Sequence, residues 1–313
     1  MNLGKSTPSL VEGLAAETSK GATQKSEFQN RLNRYGKAKE KAVSISDYIR
    51  VNHPNYQRLA NDVNNCGSYL VFRDYFTVGE VRLSKACFCK KHLLCPLCAI
   101  RRGAKHLGRY IDRYEDIVKQ SPSQKPYMVT FTVKDGPDLK ERFNHLQKSL
   151  RYYHKLRHLK KRKCEAKKAT AGVWSYEVKR GKNSGAWHPH VHAVWLCSEK
   201  PNQGEISSEW AAITGDSYIV DVREITPENP TKGFLEVFKY AVKFSDQPDF
   251  DTWHCFETLR GRRLIGSFGD FYGIPEPDDL TDDPLEGLPY VEHFYSYIHH
   301  LSGYRFQDVR ELA

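Results

Sequence analysis

The chain has 313 residues, enough for one large domain or two modest ones. No apolar run approaches the roughly 20 residues of a membrane-spanning helix, and the first twenty residues lack the hydrophobic stretch of a secretory signal, so we expect a cytoplasmic protein with no membrane partner. The net charge of +10 favours a polyanionic partner such as nucleic acid; a basic enzyme without such a partner is the alternative.

The N-terminal third contains segments that differ in composition and in predicted secondary structure. Residues 1–24 are rich in Ser, Thr, Gly and Ala without a clear period, which predicts a poorly ordered tail. Between Ser26 and Arg50, apolar residues recur every three or four positions among charged ones, which predicts one or two amphipathic helices. The next predicted elements are strands around Tyr69–Phe72 and Val78–Leu83, a cysteine-rich segment at Cys87–Cys98 and a basic helix at Ala99–Val118.

The cysteines are concentrated in one segment, since four of the eight lie within Cys87–Cys98. Thiols stay reduced in the cytosol, so this density indicates metal ligands rather than disulfides, with buried thiols as the alternative. A CPLC turn lets two thiolates converge on one tetrahedral cation, and a remote pair completes a closed, structural Zn²⁺ site. The predicted ligands are Cys66, Cys89, Cys95 and Cys98, with Cys87 as the reserve and His92 as a substitute for one cysteine.

Strand and helix signals continue through the second half. Tyr127–Val133 is rich in β-branched and aromatic residues, which predicts a strand. Val173–Lys179 and His188–Leu196 flank a Gly-containing loop, which predicts a hairpin. The other predicted elements are a long basic helix at Asp138–Lys168, a helix at Gly204–Ile213, a strand at Ser217–Val222 and a helix at Thr231–Phe244.

The segment HPHVH places histidines at alternate positions of a predicted strand. Because strand side chains alternate between faces, His190 and His192 point the same way and can hold one cation, and His188 joins them if the strand begins before Pro189. Glu177 on the preceding strand can add a carboxylate or be a solvated residue. A mixed set of imidazole and carboxylate ligands suits Mg²⁺ or Mn²⁺ near a phosphate.

The predicted helix at Thr231–Phe244 carries a tyrosine between a carboxylate and a lysine. Glu236, Tyr240 and Lys243 are spaced to share one helix face. A tyrosine attacks a phosphodiester only when its phenolate is favoured, which Lys243 can promote, while Glu236 can act as a general base for water. Taken alone, such a helix is also typical of surface and core packing.

A basic run covers Lys148–Lys168, with ten Lys or Arg residues against one Glu and with Tyr152, Tyr153, His154 and His158 among them. This composition suits phosphate neutralisation and base stacking, although charge runs are also common on solvated faces. A second contact with duplex DNA is predicted on the helix that follows the cysteines. The predicted DNA-binding residues are Lys155, Lys160, Lys161, Arg162 and Lys163 in the run and Arg101, Arg102, Lys105 and Arg109 in that helix.

The order of these motifs resembles a known family. YMVTFTV, HPHVH and a helical ExxxYxxK follow one another like the three motifs of HUH endonucleases that initiate rolling-circle replication. Cys66-Gly, FCKKHLLCPLCAIRR, EVFKYAVKF and LRGRRLIGSFGDFYG narrow the resemblance to plasmid replication initiators of the pUB110/pC194 type, over roughly Cys66 to Gly303. The resemblance implies an α+β fold, in which a ferredoxin-like (RRM-like) antiparallel sheet is flanked by helices, with a zinc knuckle and helical additions.

The resemblance also implies roles for individual residues. His190 and His192 match the metal-binding pair, and Glu177 is a weaker match that rests on its position in the preceding strand. Tyr240 matches the single nucleophile, which would join the 5′ end of the nicked strand as a phosphotyrosine and free a 3′-OH primer. Glu236 matches the carboxylate that ends replication by activating water. The implied activity is that of a site-specific DNA endonuclease and strand transferase.

The motifs divide the chain into four predicted regions: a tail and amphipathic helix at 1–50, a zinc-knuckle DNA-binding region at 51–120, an HUH nuclease core at 121–250 and a C-terminal extension packed on the core at 251–313. The implied partners are the plasmid double-strand origin with its single-stranded nick site, a host helicase and a replication polymerase. The alternatives are another HUH nuclease, such as a transposase or mobilisation relaxase, and a non-enzymatic zinc-knuckle DNA-binding regulator.

Overall fold

The computed structural model describes residues 24–161, 163–226, 228–239, 242–244 and 247–311. The chain divides into two compact units. The first comprises Met1–Lys105, Pro248–Trp253 and Pro277–Ala313, and the second comprises His106–Gln247 and His254–Glu276. Within the described ranges, no helix is long and apolar enough to cross a membrane.

Helices and antiparallel strands alternate along the chain in an α+β arrangement. The helices are α1 (Gln24–Asn52), α2 (Gln57–Asn65), α3 (Pro96–Gln120), α4 (Leu139–Leu156), α5 (Gln203–Thr214), α6 (Pro230–Phe238) and α7 (Asp249–Leu259). The strands are β1 (Tyr69–Tyr75), β2 (Glu80–Ala86), β3 (Lys125–Thr132), β4 (Ala169–Arg180), β5 (Trp187–Cys197), β6 (Val220–Glu224), β7 (Ile265–Phe268), β8 (Val291–Ile298) and β9 (Gly303–Glu311). Short 3-10 helices lie at Pro54–Tyr56, Glu165–Lys168, Gly269–Phe271 and His299–Leu301.

The first unit is built on an antiparallel sheet with the strand order β2-β1-β8-β9. Helix α1 lies against it, with the ring of Phe28 packed edge-on against Phe72 of β1 and Tyr295 of β8. The apolar residues that recur at helical spacing in α1 are buried, namely Leu32, Tyr35, Ala38, Ala42, Ile45 and Ile49. The predicted amphipathic helix is therefore one long element that covers a face of this sheet.

A buried ionic cluster in the first unit corrects the prediction that Arg101 contacts DNA. Arg101 is 1% exposed, and its guanidinium donates to the Asp282 carboxylate at 2.5 Å and to the Leu280 carbonyl at 2.7 Å. Arg31 donates to the same carboxylate at 2.7 Å. Burial favours the neutral acid, but the two guanidinium groups lower the pKa of Asp282 well below its usual range. The guanidinium of Arg101 is thus buried and hydrogen-bonded within the unit, and it is not accessible to a phosphate.

The second unit is built on a five-stranded antiparallel sheet with the order β6-β3-β5-β4-β7. On one face, the ring of Phe131 in β3 packs against Tyr153 of α4 and Trp210 of α5. On the opposite face, the Ser175 hydroxyl of β4 donates to the Val237 carbonyl of α6. Helices therefore flank both faces, and the predicted strand and hairpin form the three central strands.

The predicted basic helix at Asp138–Lys168 is too long. Helix α4 ends at Leu156, and Arg157 turns back to donate to the carbonyls of Ala166 and Ala169 at 3.1 and 2.9 Å. The guanidinium of Arg157 also lies 3.4 Å from the centroid of the Phe268 ring. These contacts hold a turn where the sequence pattern predicted a continuous helix.

The predicted helix at Thr231–Phe244 is also too long, since α6 ends at Phe238. Lys239 leaves the helical conformation with a ψ of 170°, and Val242 forms a parallel bridge with Val178 of β4. Val242 is fully buried, so its apolar side chain gains more from the sheet than from an exposed helical turn. Lys243 therefore lies outside the helix that carries Glu236, so the helix face predicted for these two residues does not form, and Tyr240 lies outside the described residues.

The two units do not follow the four predicted regions. Helix α3, predicted to lie within 51–120, begins in the first unit and ends in the second. The predicted C-terminal extension at 251–313 is divided between both units, and its strands β8 and β9 belong to the sheet of the first unit through the pairing of β8 with β1. The described part of this segment therefore contributes to the folds of both units and is not a separate extension of one of them.

Candidate functional site

The hairpin of β4 and β5 brings three predicted metal ligands together. Glu177 lies directly opposite His190 in the register, and His192 lies two positions further along β5 on the same face. The Nε2 atom of His190 is 3.5 Å from one carboxylate oxygen of Glu177, and that of His192 is 3.6 Å from the other. Their ligand atoms all lie within 4.8 Å of one another. We refer to these three residues as the carboxylate–histidine group.

The electrostatics of this group suit a cation. Burial favours a neutral Glu177, but hydrogen bonds and charge from His190 and His192 lower the pKa of its carboxyl group well below the usual range. Burial also lowers the pKa of His190, although Glu177 opposes this shift. An ionised carboxylate facing neutral imidazoles is the protonation state in which these residues ligate a divalent cation. The donor set therefore fits Mg²⁺ or Mn²⁺, the cations predicted from the sequence.

Neighbouring groups orient the imidazoles. The Thr130 hydroxyl of β3 is 3.2 Å from Nδ1 of His192, and the His188 carbonyl is 3.4 Å from Nδ1 of His190. Both histidines therefore direct Nε2 towards Glu177. Sequence analysis missed Thr130, whose place opposite His192 is visible only in the register of β3 with β5.

The third histidine of the motif has a different partner. Nδ1 of His188 lies 2.5 Å from an oxygen of Asp135, and the Ser184 hydroxyl donates to the other oxygen at 2.5 Å. Burial acts against ionisation of Asp135, but these contacts lower the pKa of its carboxyl group overall. The His188 and His190 rings are 5.2 Å apart, yet His188 does not belong to the group of converging ligand atoms. Asp135 was not singled out in the sequence, where it looked only like part of a turn.

Helix α6 brings the predicted carboxylate to the same face of the sheet. Val237 of α6 accepts a hydrogen bond from Ser175, which lies opposite His192 in the register. Glu236 is adjacent in the chain, is 40% exposed and forms an ion pair with Lys239.

Beyond α6 the chain returns to the strand that carries Glu177. Val242 is bridged to Val178, and the Gln247 side chain donates to the Val178 carbonyl at 3.1 Å. Lys243 follows Val242 outside any helix, and Tyr240 lies outside the described residues.

The four predicted cysteines converge in the first unit, at a place distinct from the carboxylate–histidine group. Cys66 caps the end of α2, Cys89 lies in the loop after β2, and Cys95 and Cys98 lie at the start of α3. The Sγ atom of Cys66 is 3.4 Å from that of Cys95 and 3.5 Å from that of Cys98, and the Sγ atoms of Cys89 and Cys98 are 3.7 Å apart. We refer to these four residues as the cysteine cluster.

These distances fit a tetrahedral thiolate site. Zn–S bonds of about 2.3 Å place the sulfur atoms about 3.8 Å apart, whereas a disulfide requires about 2.05 Å. Hydrogen bonding among the thiols, led by Cys66, raises the pKa of Cys95 and Cys98 and lowers that of Cys89. Without a cation the cluster therefore stabilises one thiolate at the expense of its neighbours, whereas Zn²⁺ would stabilise all four. Cys87 is exposed and lies outside the cluster, so the reserve ligand does not converge with the other four cysteines.

Tight packing beside Cys66 helps to close the cluster. Gly67 has a φ of +66°, donates to the Cys87 carbonyl at 2.7 Å and accepts from the Tyr304 hydroxyl at 2.6 Å. A Cβ atom at this position would lie 2.5 Å from a Leu97 methyl carbon. Only glycine combines this backbone conformation with this clearance.

The predicted DNA-binding residues differ in availability. Besides the buried Arg101, Lys105 forms an ion pair with Asp283 at 2.6 Å and Arg109 donates to the Pro275 carbonyl at 2.8 Å, while Arg102 is half-buried. In the basic run, Lys155, Lys160, Lys161 and Lys163 are exposed, and Arg162 lies outside the described residues.

The aromatic side chains of the basic run differ in exposure. Tyr153 is fully buried and donates to Glu209 at 2.6 Å, and burial lowers the pKa of His154 to about 3. The Tyr153 ring is buried and the His154 ring packs against Trp174 and Phe268, whereas Tyr152 and His158 are exposed.

Comparison with known proteins identifies the family of the chain. Residues 80–287 match a family model described as "Replication protein". A "Protein rep" of Lentilactobacillus hilgardii is 30% identical over 283 residues, which cover 81% of this chain and 85% of that protein. A "Protein rep" of a Bacillus species is 26% identical over 273 residues (74% and 85%), and one of Streptococcus pneumoniae is 28% identical over 204 residues (60% and 61%). No solved structure matches.

Proposed function

The chain belongs to the Replication protein family, the plasmid replication initiators of the pUB110/pC194 type, and from this premise we propose that it nicks one strand of a plasmid origin to start rolling-circle replication. The observation that carries the proposal is the carboxylate–histidine group, in which a buried Glu177 faces two imidazoles on one sheet face. A divalent cation held there would polarise the scissile phosphate.

The proposed nucleophile is Tyr240. Its position in the chain supports this role, because Val237 and Val242 on either side of it contact Ser175 and Val178, the neighbours that bracket Glu177 in β4. Tyr240 itself lies outside the described residues, so the proposal rests on these flanking contacts and on the sequence motif. Lys243 is close enough in the chain to favour the phenolate by its charge.

The proposed chemistry is a transesterification. The deprotonated phenolic oxygen of Tyr240 forms a bond to phosphorus, the bond from phosphorus to the 3′ oxygen breaks, and that oxygen takes up a proton to become a 3′-hydroxyl. The 5′ end stays on the protein as a phosphotyrosine. The number of phosphoester bonds is unchanged, so the same tyrosine can release the strand by the reverse reaction and rejoin it.

Glu236 is proposed to act at the end of a replication round. A half-exposed carboxylate on the helix that packs over His192 can accept a proton from water, whose oxygen then attacks the phosphotyrosine. This hydrolysis releases the protein instead of starting another round.

The cysteine cluster is proposed to hold one Zn²⁺ in a structural role. Its four thiols complete the coordination and three of them are fully or almost fully buried, which leaves no position for substrate. The proposed partners are the double-strand origin and its nick site, followed by a host helicase and polymerase that use the 3′-hydroxyl, and the proposed place of action is the cytoplasm.

An oligonucleotide assay tests the proposal. Wild-type protein with Mg²⁺ or Mn²⁺ should cleave a single strand that carries the nick site and form a covalent adduct, and EDTA should prevent both. Tyr240→Phe should abolish cleavage, whereas Tyr272→Phe, at an exposed tyrosine of the same unit, should not. Glu236→Ala should still form the adduct but release it slowly. A transposase-like enzyme would show no release defect, and a DNA-binding regulator would cleave nothing.

A further inference from the structure

One face of the first unit's sheet points away from α1 and carries two aromatic residues. Phe72 and Tyr295 lie on the α1 side, where the ring of Phe28 packs against both. Because side chains alternate between the two faces of a strand, Tyr69 of β1 and Phe294 of β8 point to the opposite face. Tyr69 is 38% exposed and Phe294 is half-buried, so both rings are partly open to solvent.

The two rings lie beside each other on adjacent strands. Their centroids are 5.7 Å apart and their planes differ by 9°. The register agrees with this contact, because Tyr69 lies opposite Ser296, which is two positions from Phe294 on the same face of β8. Two nearly parallel rings on neighbouring strands form one flat apolar patch. We refer to Tyr69 and Phe294 as the aromatic pair.

Basic side chains lie around the aromatic pair on the same face. Arg305 of the edge strand β9 is exposed and lies in the same row across the sheet as Tyr69. Lys85 of the other edge strand, β2, lies in the row of Phe294, and its side chain is 59% exposed. Arg73 follows Tyr69 along β1 with the same orientation. Exposed cations therefore stand on both sides of the two rings.

The acidic side chains of this face do not cancel these cations. The Glu292 carboxylate is buried and is shared by Arg73 at 3.2 Å and Lys85 at 3.6 Å, so one negative charge faces two positive ones. Asp308 lies in the row of Phe294 and accepts a hydrogen bond from the next backbone N–H at 2.8 Å. Together with Arg305, three basic side chains face two acidic ones, which favours an anionic ligand.

The backbone before Tyr69 is fixed by hydrogen bonds beside the cysteine cluster. Cys66 lies three positions before Tyr69, and the Gly67 N–H between them donates to the Cys87 carbonyl at 2.7 Å. The Ser68 carbonyl accepts from a backbone N–H of β8 at 3.0 Å. The Tyr69 ring therefore extends from an anchored backbone, which lowers the entropy cost of binding a ligand.

We propose that the aromatic pair and the cations beside it bind single-stranded DNA, with an unpaired base stacked on Tyr69 and phosphates near Lys85 and Arg305. Aromatic rings among basic side chains on an open sheet face suit this ligand, because every base has an apolar face and every nucleotide a negative charge. Paired bases are already stacked within a duplex, so only an unpaired base can lie flat on the rings. The choice of DNA rests on the proposed function, to which this surface adds a contact in the first unit.

Binding of labelled oligothymidine in EDTA tests the surface without any cleavage. Tyr69→Ala should weaken binding about tenfold, because stacking on an aromatic ring contributes at this scale, and Tyr69→Phe should bind like the wild type because the ring remains. Phe306→Ala is the matched control: Phe306 is 51% exposed on the same sheet but contacts Tyr295, on the α1 side, and its loss should not change binding. An abasic strand of the same length should bind the wild type and Tyr69→Ala equally.

Two further measurements separate charge from stacking and locate the strand. Arg305→Gln should lower the slope of log affinity against log salt by about 0.7, the value for one phosphate contact with a single strand, whereas Tyr69→Ala should leave the slope unchanged. Irradiation of the wild-type complex with an oligonucleotide that contains 5-iodouracil should cross-link the strand to Tyr69 or Phe294. The cross-link needs no variant, so it does not depend on how a substitution affects folding.

Several results would overturn the proposed surface. Wild type that does not bind oligothymidine, cross-links confined to other residues, or Tyr69→Ala that binds like the wild type would each contradict it. Equal losses of affinity for the abasic strand, or Tyr69→Phe that binds as weakly as Tyr69→Ala, would contradict base stacking. Wild type that binds and cross-links as described but never cleaves would contradict only the proposed function, and normal cleavage with no effect of Tyr69→Ala on binding would contradict only the surface.

Discussion

The cysteine cluster and the carboxylate–histidine group are both sets of converging metal ligands, but they are assembled differently. The cluster collects side chains from the end of α2, a loop and the start of α3, and its first and last members are 32 positions apart in the chain. The carboxylate–histidine group lies on one hairpin whose main-chain pairing continues from Ala169 to Arg180. A cation in the first therefore joins separate segments, whereas in the second it joins side chains that the sheet has already aligned.

This difference predicts that loss of a cation affects folding at the cysteine cluster and chemistry at the carboxylate–histidine group. Three buried thiols and a partly exposed fourth lie close to one another and gain stability when a cation takes up their negative charge, so we expect the fold of the first unit to depend on a metal. Glu177, His190 and His192 are aligned by the main-chain pairing of β4 with β5, which needs no cation, and His192 remains partly open to the surface. The second group can therefore lose its cation and keep its fold.

Removing one cysteine ligand should have the largest effect on stability. Cys95→Ser should abolish binding of about one zinc per chain and lower the thermal midpoint by more than about 10 °C, because structural zinc contributes on the order of 10 kcal/mol to folding. Cys87→Ser is the control and should keep both the zinc and the midpoint. Metal analysis and thermal melts of the two purified variants measure the difference. A Cys95→Ser variant that melts like the wild type without metal would show that the cluster is not a structural zinc site.

Removing one histidine should affect chemistry and leave the fold. His192→Ala should lower the nicking rate by a factor on the order of 10³, because polarisation of the phosphate contributes several kcal/mol to the transition state. Its thermal midpoint and its affinity for duplex DNA should stay near wild type, since the hairpin and the basic residues are unchanged. His300→Ala, at an exposed histidine, should leave nicking unaltered. Wild-type nicking by His192→Ala would remove His192 from the ligand set.

The contact between Thr130 and His192 should have a smaller effect. Thr130→Val keeps the shape of the side chain but removes the partner of Nδ1, so the metal concentration for half-maximal nicking should rise about tenfold. Saturating metal should restore most of the rate. Thr170→Val removes a hydroxyl at the other end of β4 and should not change the metal titration. If both variants titrate alike, Thr130 does not orient the ligand.

The smallest effect is expected for the exposed lysines after α4, which should contribute to the salt-dependent affinity for DNA but little to specificity. Replacing Lys160, Lys161 and Lys163 with Ala should lower the slope of log affinity against log salt by up to about 2.7 for duplex DNA, because each phosphate contact contributes about 0.9. A variant with Lys119, Lys125 and Lys140 replaced removes the same charge from dispersed exposed positions. Equal slopes for the two triple variants would mean that the run is only a solvated surface.

Spacing along the chain was sufficient to predict which histidines and which two of the cysteines lie together. The period of two in HPHVH places His190 and His192 on one face of any strand, and the CPLC turn places Cys95 and Cys98 side by side at a helix start. The hairpin that places Glu177 opposite His190 was also predictable, because two β-rich segments flank a loop with glycine at both ends. These signals are local, so they do not depend on contacts with distant parts of the chain.

The errors arose where distant residues decide the outcome. Arg101 looked like a DNA contact because the sequence does not show that Asp282 lies beside it, 181 residues away. The helix predicted to continue to Phe244 stops at Phe238 because Val242 pairs with Val178, a contact that helical periodicity cannot reveal. Thr130 and Asp135 were missed for the same reason. The role of a short polar residue is set by its neighbours in the folded structure, which the sequence does not show.

The most direct test of the account is to identify the residue that carries the DNA. Wild-type protein would be incubated with Mn²⁺ and a single-stranded oligonucleotide that spans the nick site, digested with protease, and the peptide bearing the nucleotide sequenced by mass spectrometry. The account predicts a phosphodiester-linked nucleotide on Tyr240, with the link absent from His192→Ala. A link mapped to Tyr218, or to a tyrosine within Tyr290–Tyr304, would contradict the account.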